Sequence, residues 1–153
     1  MTLPVAILFL ITLSAPPAAD PDLCPLIADL NAVILQTTPY TPPPCPRIGF
    51  STLPEGGTMR SQGGAYFPAT GNIELAPDLD LTTPYGQSYL LHELVHAAQH
   101  ASGAHHRAPC PAALEAEAYS LQSDFLRAQG LPREAVLVRL LADHLGQCGV
   151  PEY

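Results

Sequence analysis

The chain has 153 residues, a formal net charge of −8 and only 6 Lys plus Arg. That length suits one domain and little more. So much negative charge disfavours a phosphate backbone, so no nucleic-acid partner is expected.

The first apolar run, residues 3–13, is followed by small residues and a polar break through Asp20. This reads as a secretory signal peptide over residues 1–19, cleaved near Ala18 or Ala19. The run is too short for a membrane span, so no stable span is expected after cleavage. No Lys or Arg precedes it, and a retained N-terminal anchor is the alternative. The domain is then 20–153, and the compartment is secreted or periplasmic. All four cysteines, Cys24, Cys45, Cys110 and Cys148, follow the signal. In an exported chain an even set implies disulfides, here two, and the absence of a C-x-x-C pair disfavours a Cys-rich zinc site. Of the three pairings, Cys24–Cys45 and Cys110–Cys148 are favoured, since each joins segments at one end of the domain.

Residues 23–35 carry Leu23, Leu26, Ile27, Leu30, Ile34 and Leu35 at amphipathic-helix spacing. The Pro-rich stretch 38–46 cannot continue that helix. It reads as an ordered loop tied down by Cys45. Residues 47–50 form a short strand and 54–57 a turn. Two strands follow at 63–67 and 72–76, joined by a turn at 68–71. Thr83 caps the next helix with Pro84 at its first position, and that helix stops near Gly103. A loop holds His105 and His106. Pro111 opens a helix to Gly130 with Leu114, Ala118, Leu121 and Phe125 as its core stripe. A last helix runs from Pro132 to Leu145 and is stopped by Gly146. The expected class is α+β, with a small antiparallel or mixed sheet packed on the helix after Thr83, plus C-terminal helices.

That helix carries His92-Glu93-Leu94-Val95-His96. Side chains four apart share a helix face, so both imidazoles can aim at one point. Two imidazoles, one further protein ligand and a position left to water make a catalytic zinc site. Glu93, on the flank of that face, is placed to accept a proton from the water. The bland alternative is a surface helix with two unrelated histidines. The apolar flank of Leu91, Leu94, Val95 and Ala98 argues against it.

The stretch resembles the active-site helix of the zincin metallopeptidases. The metzincin branch is excluded, because Gln99 and Ser102 stand where its Gly and His would be. The remaining candidates for a third ligand are Glu115, Glu117, His105, His106 and Asp124. Residues 113–119 resemble the Glu-bearing second helix of the gluzincins. Glu117 is preferred over Glu115, because it is the second Glu of an E-x-E-A pattern and lies nearer the core stripe. Where gluzincins often carry an acidic residue four positions after the ligand, this chain has Leu121. Tyr119 is read as a packed aromatic rather than a transition-state donor. The strands before the helix are similar to those of secreted bacterial zincin-like domains of uncharacterised function. In zincins an edge strand holds the peptide by main-chain pairing. Residues 65–67 and 73–75 are both candidates for that edge.

The resemblance implies a zinc-dependent metallopeptidase acting on a peptide or protein substrate, with zinc on His92, His96 and Glu117 and Glu93 as general base. The alternative is a non-catalytic zinc-stabilised binding module, which a fourth ligand from His105 or His106 would support. A disulfide-stapled domain without metal is the third reading.

Overall fold

A computed structural model describes residues 21–53 and 63–149. The signal peptide expected over 1–19 and the turn expected at 54–57 lie outside the described residues. A 3-10 turn, Pro21–Leu23, leads into α1 (Cys24–Thr37). Strands β1 (Ile48–Phe50), β2 (Gly64–Phe67) and β3 (Asn72–Leu75) follow. Then come α2 (Pro84–Ala101), a 3-10 turn Ala104–His106, α3 (Pro111–Ala128) and α4 (Pro132–Leu145). The class is mixed α+β, as the residue pattern implies.

Each of the four helices has a proline within its first two positions. Proline lacks an N–H there without loss, because the first turn has no intrahelical acceptor for it. At the start of α2 the Thr83 hydroxyl accepts from the Gly86 N–H at 3.1 Å, the cap the sequence implied.

The sheet order is β1-β3-β2, with β1 parallel and β2 antiparallel to β3. Among the described residues β3 is therefore central, and β2 is an edge strand. Ala76 N–H donates to the Gly63 carbonyl at 3.0 Å. Antiparallel pairs alternate, so residues 63, 65 and 67 face β3. The peptide groups of Gly64 and Tyr66 face the opposite way, along the outer edge.

α2 is the centre of the core. Leu90, Leu91, Leu94, Val95 and Ala98 are buried against Ile27, Leu30 and Ile34 of α1, Ile73 and Leu75 of β3, and Ala118, Leu121 and Phe125 of α3. Each full burial of a Leu or Ile contributes about 1.5–3 kcal/mol before conformational entropy is set against it. A second cluster, from Tyr119 and Leu126 to Ala135, Val138 and Ala142, packs α4 on α3. The buried residues of α2 also include Ser88, His92, Glu93 and Gln99, and those of α3 include Gln122 and Ser123. Buried polar groups need partners, and Ser88, His92 and Gln122 find them in one another.

Both disulfides join the pairs favoured from sequence, Cys24–Cys45 and Cys110–Cys148. The first fastens the Pro-rich loop to the start of α1. Asn31 Nδ2 also donates to the Pro43 carbonyl at 2.9 Å, and Thr41 N–H donates to Ser102 Oγ at 3.1 Å. The loop is thereby held to α1 and to the end of α2. The second disulfide ties the start of α3 to the chain beyond α4. Two disulfides point to an extracellular or periplasmic protein, and no described helix is long and apolar enough to cross a membrane. Closing a separation of 38 residues is expected to stabilise the fold by about 4 kcal/mol. Replacing Cys110 and Cys148 together by Ser should lower the unfolding free energy in urea by roughly that amount. A loss below about 1 kcal/mol would show that the α3–α4 packing holds this end unaided.

Candidate metal centre

His92 and His96 lie one turn apart on α2, and their Nε2 atoms are 3.1 Å from each other. A Glu115 carboxylate oxygen on α3 lies 3.3 Å from the first Nε2 and 3.4 Å from the second. These three residues form a group that can hold a metal ion, and among the described residues no fourth His, Cys, Asp or Glu joins it. Ligands held tetrahedrally about 2.0–2.1 Å from a divalent ion stand about 3.3–3.4 Å apart. The triangle has that size. His92 is 3% exposed, His96 17% and Glu115 42%, so the group opens to solvent on the Glu115 side.

The hydrogen bonds behind the imidazoles settle which nitrogen carries the proton. Gln99 Nε2 donates to the Leu114 carbonyl and to the Glu117 carboxylate, both at 3.0 Å. A carbonyl accepts and cannot donate, so the Gln99 amide oxygen must be the end that faces His96 Nδ1, at 2.9 Å. Behind His92, the Ser88 hydroxyl donates to the Tyr85 carbonyl at 2.7 Å. Its oxygen then accepts from Gln122 Nε2 at 3.2 Å. The Gln122 amide oxygen is left facing His92 Nδ1, also at 3.2 Å. Both imidazoles therefore donate from Nδ1 and, when neutral, turn a bare Nε2 lone pair toward the same carboxylate. Three acceptors so close repel unless a cation or a proton lies among them.

Without metal, a proton takes that place. Burial works to lower the pKa of His96, but the hydrogen bond and charge of Glu115 outweigh it and raise it to about 9. Glu93 and Gln99 act in the same direction. Partial burial works to raise Glu115, yet its hydrogen bonds to both imidazoles hold it well below the usual carboxylate range. Glu93 is buried beside the group, and burial pushes its carboxyl up against the opposing pull of His92 and His96. The Tyr66 backbone N–H hydrogen-bonds to this carboxyl from the outer edge of β2. The close approach requires Gly64, since a Cβ there would stand 2.8 Å from Glu93 Cγ.

The structure corrects the third position. Glu115, and not Glu117, reaches the imidazoles; Glu117 is exposed and accepts from Tyr40 Oη at 2.6 Å. At about 100° per residue, Glu115 lies within roughly 20° of Gln122 and Leu126, and Glu117 about 140° from Gln122. The Leu114–Ala118–Leu121–Phe125 stripe marks only one side of the buried face. Tyr119, Gln122, Ser123 and Leu126 are buried too, and they turn its centre toward Glu115. The other candidates lie elsewhere. Asp124 pairs with Arg139 at 3.6 Å. His105 and His106 are exposed on the 3-10 turn, with the His105 ring stacked on His100 at 4.3 Å. Tyr119 is buried, its ring 4.4 Å from that of His92. Gln99 and Gln122 were not singled out from sequence. The signal for Gln99 was its position three residues after His96, on the same helix face.

These shifts set a pH dependence. The folded pKa of His96 lies above its unfolded value, so the metal-free protein gains stability from it below about pH 6.5 and loses that gain as pH rises through 9. A metal ion must displace the same proton. Metal affinity should therefore rise about tenfold per pH unit between pH 6 and 8.5, with one proton released per ion. Calorimetry in two buffers of different ionisation enthalpy would count that proton. An affinity independent of pH over this range would contradict the assignment.

No curated protein and no solved structure matches the chain. One family does match, over residues 48–145, a span that contains the sheet, the two imidazoles, Glu93, Glu115 and both glutamines. The chain therefore belongs to the family described as a domain of unknown function, DUF6647.

Proposed function

We propose that this protein is a zinc-dependent peptidase of secreted or periplasmic location, and that its substrate is an extended peptide or protein segment. The observation that carries the reading is the meeting of three groups at one place. These are three converging acceptors, a buried glutamate, and the outer edge of a β-strand. Imidazole nitrogen and carboxylate oxygen in a tetrahedral spacing suit zinc among the divalent ions. The exposure of Glu115 keeps one side of the group accessible, as a catalytic site requires and a closed structural site does not.

Zinc in this group would lower the pKa of a water toward neutrality and polarise a scissile carbonyl. The chain's own residues do the rest. The Gln99 and Gln122 amides keep both imidazoles in the tautomer that presents Nε2. Glu93 takes the proton of the attacking water at its carboxylate and delivers it to the leaving amine. Its burial pushes the carboxyl pKa up, which suits both transfers. The outward-facing edge of β2 at Gly64 and Tyr66 offers an extended substrate main-chain pairing beside Glu93. Because β3 is central, β2 takes this part of the two candidate edges. Tyr66 N–H already serves Glu93, which leaves the Gly64 groups and the Tyr66 carbonyl for substrate.

Glu93→Gln keeps the volume and the metal ligands but removes the base. It should bind zinc like the wild type and cleave a quenched fluorescent peptide library about 10²–10⁴-fold more slowly. Cleavage by this variant at the wild-type rate would overturn the mechanism.

A further inference from the structure

We propose that Tyr40 and Glu117 are positioning residues for the metal group, acting on His96 through Gln99. The inference rests on the metal reading above and goes beyond it by assigning control of that group to a loop outside the site. Tyr40 Oη donates to Glu117 Oε2 at 2.6 Å. The same oxygen accepts from Gln99 Nε2 at 3.0 Å. The other Gln99 N–H goes to the Leu114 carbonyl, and the amide oxygen receives His96 Nδ1–H at 2.9 Å. Every polar atom of the Gln99 amide thus has a partner, and the glutamine is almost fully buried. An amide can turn over by half a rotation and exchange its O and N ends. If it did, its NH₂ would face His96 Nδ1, force the proton onto Nε2 and remove the lone pair that holds metal.

The Leu114 carbonyl opposes that reversal, and the Glu117 charge opposes it more strongly, since a hydrogen bond to a carboxylate is about twice as strong as one between neutral groups. Tyr40 holds Glu117 in place. Burial and the bond to Glu117 push the Tyr40 phenol up to about 12, so it remains a donor at any physiological pH. Tyr40 sits in the Pro-rich loop fastened by Cys24–Cys45, Asn31 and Ser102. A residue outside the matched family span of 48–145 thereby governs a ligand inside it. The carboxylate that sequence pattern singled out as a ligand holds the ligand's neighbour instead.

The test is zinc affinity by competition with a chromophoric chelator, with folding followed by circular dichroism. The variants are Tyr40→Phe, Glu117→Leu, Glu117→Gln, Gln99→Leu and the double Tyr40→Phe/Gln99→Leu. Loss of a group that orients a ligand typically weakens metal binding about 10–100-fold, and Gln99→Leu should fall in that range. Glu117→Leu should lose about 10-fold and Tyr40→Phe about 3-fold, while Glu117→Gln, which keeps an acceptor, should recover most of the loss. Tyr40→Phe should cost nothing further once Gln99 is Leu. Equal losses from Tyr40→Phe in both backgrounds would overturn the proposal, because a merely structural tyrosine acts independently of Gln99. Unchanged affinity in all single variants would overturn it and leave the metal site standing. Absence of zinc binding by the wild type would instead remove the metal reading on which the proposal rests.

Discussion

The arrangement depends on the repulsion between three acceptors that the fold forces together. Two imidazole nitrogens and a carboxylate oxygen stand 3.1–3.4 Å apart. Left bare, they would disfavour the folded state. The cost is met by whatever positive charge sits among them, a proton or a divalent ion. The chain accepts this cost on its most buried helix, where Leu90, Leu91, Leu94 and Val95 fix the direction of both histidines. A group held so firmly by its surroundings can hold a metal ion, since packing alone would favour separating it.

The fold supplies the rest in layers. α3 lies across α2 and brings Glu115 and Gln122 from one face, so a single helix provides both the carboxylate and the amide behind His92. β2 lies along the opposite flank of Glu93. Gly63 approaches Tyr89, Gly64 approaches Glu93, and the Tyr66 ring lies 5.9 Å from that of His100. Strand and helix thus run in the same direction, and the outer edge of β2 passes the group lengthwise.

Much of this was legible in the chain. Thr83 and Pro84 mark the start of α2, the His-Glu spacing marks the face of the group, and both cysteine pairs follow from position. Which of Glu115 and Glu117 takes the third position was not legible, for a physical reason. A stripe of Leu, Ala and Phe marks where a helix is apolar, whereas the buried face of α3 also includes Gln122, Ser123 and Tyr119. Polar residues buried in order to bond one another are invisible to hydrophobic periodicity. The same applies to Gln99, whose role depends on which of its ends meets a carbonyl 15 residues further along. Nor does alternation along two short strands say which one is central; that depends on β1 pairing with β3 rather than with β2.

The central claim is that this group binds a metal ion, and metal analysis of the native protein tests it most directly. Protein isolated without added metal or chelator should carry one zinc per chain, and a His92→Ala/His96→Ala form prepared in the same way should carry none. A wild type that emerges without metal, and takes up no zinc when supplied with it, would contradict the account.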